Sequence, residues 1–305
     1  MSAELGERLD VISRAHAGAL GFPGRDAVDL ADAVRQVREQ PRAVEVVGRL
    51  ADRLRVGIGD FTPDGDGRRW SIWPDDAGAA GATEEGALGP GVLPMLALLV
   101  TAPEVAAWHT ASGVPAAISV DTLADLGQQV RVHRRAYGVF GLHSADWLSL
   151  AWSGSLYRLG RLQHNLQRPE PALGLDPDAW VLGVHIPATG RLGADEVDAS
   201  FTAAERFFAE HFPDRPVADF VCRSWLLDPA LAEVLPDSNL AAFCRRWVPY
   251  GDAQPGDDDV QFFVFSRRGP VDRSALPGDT TLRRAMLARW ATGASWSLVS
   301  GRLAR

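Results

Sequence analysis

The hydrophobic pattern of this chain changes period part-way along, and that change restricts the folds open to it. Up to Tyr137 apolar residues recur at helical spacing; beyond Gly138 short apolar runs alternate with amphipathic stretches. The first texture predicts helices over Leu5–Ala15, Ala27–Val37 and Ala43–Val56, the last with Val44, Val47, Leu50, Ala51 and Leu54 on one face. Helical spacing returns over Val92–Ala111. It resumes from Val120, where Leu123, Leu126, Gly127 and Val130 share a stripe that ends in Arg131, His133, Arg134 and Arg135. Cations there suit the negative end of a helix dipole, so this basic cluster reads first as a helix terminus. Between the helical blocks, Phe61–Gly91 is rich in Gly, Pro and acids and carries Trp70 and Trp73, a long loop with the makings of a lid.

The second texture predicts a short helix over Ser144–Trp152 and a strand-like Leu156–Gln167. Strands follow at Trp180–Pro187, Val217–Leu226 and Val260–Ser266. The helices expected among them are Ala194–Phe212, Pro229–Leu235, Ser238–Trp247 and a final Thr281–Leu303. Strands alternating with helices argue for an α/β or α+β domain, and the helix after Trp180–Pro187 is long enough for a crossover between parallel strands. The expected organisation is a helical domain over 1–137 and a mixed-sheet domain over 138–305.

All 31 basic residues are arginine, which excludes a Schiff-base lysine, a pyridoxal-phosphate anchor and a P-loop lysine. The net charge of -8 argues against nucleic acid or an anionic membrane as partner. Two cysteines are too few for a disulfide framework. The amphipathic start lacks a signal-peptide core, and the most apolar stretch, Val92–Val100, is short for a span and contains Pro94. A cytoplasmic protein is expected. The seven histidines are scattered without metal-ligand spacing, so no metal is expected.

Two segments carry candidate chemistry. In Trp180–Phe201 a strand runs into a loop with Gly190, Arg191 and Gly193, then a helix opened by Asp195 and Glu196. Such a joint brings backbone N–H groups and a helix N-terminus to a pyrophosphate, although glycines serve any strand–helix connection. In a regular strand His185 shares a face with Val181 and Gly183, placed either as a general base or as a half-buried structural histidine. In Val221–Pro229, Cys222 and Ser224 share a face, either as nucleophiles or as packing residues, and Asp228 before Pro229 reads as a helix N-cap. Neither sits in a G-x-S-x-G elbow.

The ordered series DTLADLG (121–127), LYRLGRLQ (156–163), LGVHIP (182–187), SWLLDP (224–229) and SNLAAF (238–243) resembles a bacterial family of two-domain acyltransferases. Its members join an N-acyltransferase N-terminal domain to a GNAT-like C-terminal domain. The resemblance implies transfer of an acyl group from acetyl-CoA, another acyl-CoA or an acyl carrier protein to a small-molecule or peptide amine. It implies that strand 180–187 binds the pantetheine arm and that strand 217–226 splays from it. The donor would be held by Ile186, Thr189, Gly190, Arg191, Leu192 and Gly193, with His185 as base. Two other functions remain open at this point: a GNAT-derived module that binds acyl-CoA without turnover, and a hydrolase acting through Ser224 or Cys222.

Overall fold

The computed structural model describes residues 2–61 and 88–303. The Trp70 and Trp73 loop lies outside the described residues. The chain forms two compact units, Met1–Tyr157 and Arg158–Arg305.

The first unit is helical. It comprises α1 (Ser2–His16), α2 (Arg25–Arg38), α3 (Pro41–Gly57), α4 (Val92–Ala111), α5 (Ala116–Leu123), α6 (Asp125–Tyr137) and α7 (Ala145–Trp152). Helix α4 is long and apolar enough to cross a membrane by composition alone, yet 72% of its most apolar window is buried, which makes it the core helix of this unit. The α3 stripe of Val44, Val47, Leu50, Ala51 and Leu54 is buried in the same core. The single helix expected from Val120 is two, meeting at Ala124, which caps one and opens the other.

The unit also runs past the expected boundary at 137/138. Helix α7 belongs to it because Leu148, Ala151 and Trp152 are buried in its core, with Trp152 Nε1 donating to Leu98 O at 3.0 Å.

The second unit is a six-stranded mixed sheet whose strands are β1 (Leu156–Leu159), β2 (Leu162–Gln167), β3 (Trp180–His185), β4 (Val217–Ser224), β5 (Trp247–Pro255) and β6 (Ser297–Leu303), in the order β1-β2-β3-β4-β6-β5. The β3–β4 pair is parallel and is linked by α8 (Ala194–His211); β2–β3, β4–β6 and β5–β6 are antiparallel. One face of the sheet is apolar: Leu182, Val184, Phe220 and Cys222 are buried there, and Phe201 of α8 packs edge-on against Phe220 at 5.1 Å. Shorter helices α9 (Pro229–Val234), α10 (Asn239–Cys244), α11 (Asp257–Phe265) and α12 (Thr281–Ala291) complete the unit.

Four elements differ from the sequence expectation. The strand-like Leu156–Gln167 is two strands, β1 and β2, with a turn at Gly160 and Arg161 between them. Val260–Ser266 is not a strand but most of α11. The acids Asp257, Asp258 and Asp259 occupy its first turn, where the dipole favours them, and Val260, Phe262, Val264 and Phe265 are buried. The expected Thr281–Leu303 helix stops at Ala291, and Ser297–Leu303 pairs as β6. Strand β5 starts at Trp247, where the sequence predicts the end of a helix, and no element is predicted for the rest of it: Pro249, Gly251 and Pro255 interrupt its pattern, and an edge position with a register shift between Tyr250 and Gln254 accommodates them.

Asp228 caps α9 as expected, its Oδ1 accepting from Ala230 N at 2.9 Å, and its Oδ2 also accepts from Ser297 N of β6 at 2.8 Å. Because the side chain is buried, Asp228→Ala strands two donors. We expect a loss of about 2–4 kcal/mol in urea denaturation.

Candidate active site

The β3–β4 ladder runs from Trp180–Val217 to Gly183–Val221 and ends there, although β3 continues to His185 and β4 to Ser224. Beyond that point β4 keeps its pairing with β6 through Cys222, Arg223 and Ser224, while β3 keeps its pairing with β2. Two parallel strands that part at their C-terminal ends leave a wedge-shaped opening in the sheet. His185 stands on the β3 lip of it and Arg223 on the β4 lip.

His185 lies on the face opposite α8, as strand alternation requires, together with Gly183, Val181 and the β2 amides Gln163, Asn165 and Gln167. Its Nε2 is 2.6 Å from Asn165 Oδ1. Gly183 leaves room for the amides as they stand: a Cβ there would meet the amide oxygens of Asn165 and Gln167. Tyr250 is on the same face and packs with Leu173, Val181 and Val221. Burial first, then the charge of Glu170, holds its phenol above the ordinary tyrosine range, and Ser300 and Glu170 hydrogen-bond to it.

The loop from Pro187 to Gly193 follows His185 directly and leads into α8. Gly190 takes the left-handed conformation (φ 68°) with open space where a Cβ would be. Its carbonyls are drawn to one side: Arg161 Nε donates to Arg191 O at 2.7 Å, Nη1 to Pro187 O at 3.1 Å and Nη2 to Gly190 O at 3.4 Å, and Asn239 Nδ2 donates to Leu192 O at 3.1 Å. Arg158 Nη2 donates to Thr189 Oγ1 at 3.0 Å. Burial, then the nearby Arg158 charge, lowers the Arg161 guanidinium below its usual value, with Glu196 acting the other way. Three arginines thus surround one glycine loop at a helix N-terminus, a setting suited to an anion. Of the residues expected to hold a donor, Thr189, Gly190 and Arg191 form the loop, Leu192 is buried beneath it, Gly193 caps α8, and Ile186 joins it to β3.

Arg158, Arg161 and Asn165 were not singled out from the sequence. Arg158 lies in β1 and Arg161 in the turn after it, on either side of Leu159 and Gly160 in LYRLGRLQ, and the glycine of that turn was the signal for the reversal that brings both beside the loop.

Cys222 and Ser224 are not brought to His185. Cys222 points into the apolar core, where burial raises its thiol well above the ordinary range, and Ser224 Oγ accepts from Leu226 N at 3.1 Å as the cap of the turn Trp225–Leu227. Neither arrangement supplies an activated nucleophile.

Residues 15–154 match the N-acyltransferase N-terminal domain and residues 156–303 the GNAT-like C-terminal domain. Among curated proteins none matches. Solved structures do. An acyltransferase in complex with decanoyl-CoA is 31% identical, with a TM-score of 0.80 over 95% of this chain and 86% of that one. An acyltransferase in complex with decanoyl-CoA and teicoplanin is 29% identical, with a TM-score of 0.81 over 95% and 87%. A further one, with CoA and 10C-teicoplanin, is 29% identical at a TM-score of 0.80 over the same shares. By domain order, fold and identity along nearly its whole length, this chain is a GNAT-like acyltransferase and belongs to the family that joins an N-acyltransferase N-terminal domain to a GNAT-like C-terminal domain.

Proposed function

We infer that this enzyme transfers an acyl group from acyl-CoA to a primary amine by direct attack, with His185 as general base. The observation that carries the reading is the parting of β3 from β4 with His185 on its lip and the arginine-braced loop immediately after it. The loop and the start of α8 supply N–H groups and positive charge to the CoA pyrophosphate, with Arg191, Arg158 and Arg161 around it. The acceptor nitrogen attacks the thioester carbonyl, and His185 removes the proton that the nitrogen must lose. The tetrahedral intermediate then collapses, the C–S bond breaks, and CoA leaves as a thiolate that takes up a proton. The products are an amide and free CoA.

Relatives crystallised with decanoyl-CoA and with teicoplanin support a medium-chain acyl donor and a glycopeptide amine as acceptor. A CoA donor also favours a cytoplasmic site of action. Calorimetric titration with decanoyl-CoA, acetyl-CoA and CoA tests the donor half of the reading. Saturable binding of decanoyl-CoA is expected, weakened about tenfold or more in Arg161→Ala, which frees three loop carbonyls and removes a charge. A folded protein that binds none of the three overturns the CoA assignment and points to a carrier-protein donor.

A further inference from the structure

We propose that Asn165 is a positioning residue that sets the tautomer of His185, so that Nδ1 is the atom that accepts the acceptor's proton. This rests on the reading of His185 as the base.

The argument starts from which way the Asn165 amide faces. Its Nδ2 donates to the backbone carbonyl of Leu166 at 3.4 Å and to Gln167 Oε1 at 3.2 Å. A backbone carbonyl can only accept, so the nitrogen end of the amide is held on that side. The oxygen end therefore faces His185, and Oδ1 has no hydrogen to give. At 2.6 Å the contact with His185 Nε2 is a hydrogen bond only when Nε2 carries the proton. Neutral His185 then has its lone pair on Nδ1. The opposite tautomer would set two lone pairs against each other at that distance.

Two further features hold the amide in place. Asn165 is 3% exposed, so its amide is shielded from water, although His185 itself is half-buried. The absence of a side chain at Gly183, its partner across β2 and β3, makes room for Oδ1, since a Cβ there would collide with it. Asn165, Gln167, Gly183 and His185 thus act together: the glycine admits the amides, and Asn165 orients the imidazole. During the reaction the acceptor's N–H proton moves to Nδ1 while Nε2–H stays on Asn165 Oδ1. The imidazolium formed keeps that bond, and the charge strengthens it.

Long-range ¹⁵N–¹H correlation spectroscopy of the histidine-labelled wild-type protein at pH 8 reads the tautomer directly. The His185 signals are identified by their loss in His185→Gln. A pyrrole-type nitrogen at Nε2 and a pyridine-type nitrogen at Nδ1 are expected. The reversed pattern overturns the proposal, whatever the activity. In turnover, Asn165→Leu keeps the branching of the side chain at Cγ and removes the acceptor. We expect kcat to fall about tenfold or more while the donor KM changes less than about threefold, with Asn165→Asp, which again offers Nε2–H an acceptor, recovering most of the loss. Wild-type kcat in Asn165→Leu also overturns the proposal. Unimpaired turnover in His185→Ala would instead overturn the base assignment, a failure distinct from a wrong tautomer.

Discussion

Replacing His185 by alanine is expected to lower kcat by about 10²–10⁴-fold, the range for removing a positioned general base, while decanoyl-CoA still binds. The separation follows from where the groups lie. His185 ends β3 on the lip of the opening, whereas the groups assigned to the donor, the Gly190 loop with Arg191 and the Arg158 and Arg161 side chains that brace it, make their hydrogen bonds with one another and not with the imidazole. Direct attack on the thioester needs a base only for the acceptor's proton, so the deficit shrinks as pH rises and more of the free amine is present without help. Titration of the donor into His185→Ala, beside single-turnover kinetics with an amine acceptor, checks both halves. Loss of donor binding together with turnover would place His185 in the binding site instead.

The second large effect is on stability. His164 is fully buried between the rings of Phe201 and Phe220, at 6.0 and 5.9 Å, and burial pushes its pKa down to about 3. His109, in the helical unit, is fully buried with Nδ1 2.8 Å from Ser119 Oγ, and burial lowers it to about 4. Both are neutral when folded. Below about pH 6.5 the unfolded chain binds a proton at each that the folded chain refuses, so stability falls as pH drops. The fall continues to about pH 4 for His109 and about pH 3 for His164, and is absent above neutrality. Each histidine contributes a slope of about 1.4 kcal/mol per pH unit within its window. Urea denaturation at pH 7.5 and pH 5 is expected to show several kcal/mol of loss, reduced in His164→Leu. Equal stability at the two values would show that both side chains take up protons as readily in the folded protein as in the unfolded chain.

How much of this was legible in the sequence depended on how plainly each segment declared its period. WVLGVHIP is bounded by Asp/Pro and Pro/Gly, so β3, the loop after it and α8 lie where their residues predict, and the alternation that puts His185 on the face of Gly183 held. VQFFVF is too short to tell a strand from a buried helix, and the deciding signal was the three acids ahead of it. Strand β5 is written in Pro, Gly and Asp, which an edge strand tolerates and a local reading takes for a loop. The site was legible only where it is local. His185, Thr189, Gly190 and Arg191 are neighbours in the chain. Asn165 reaches His185 through the β2–β3 register, and Arg161 reaches the loop through a hairpin, and no period in the sequence specifies a register. Cys222 and Ser224 illustrate the converse: their residue types invited a nucleophile, while their strand phase sent Cys222 into the core and their turn gave Ser224 a cap to make.

The central claim is direct acyl transfer to an amine, and intact-mass spectrometry of a reaction containing enzyme, decanoyl-CoA and a glycopeptide bearing a primary amine tests it most directly. The account predicts a decanoyl gain on the glycopeptide amine, free CoA in equal amount, and an enzyme whose mass is unchanged throughout. A decanoyl adduct on the enzyme, lost on substitution of Ser224 or Cys222, would contradict it.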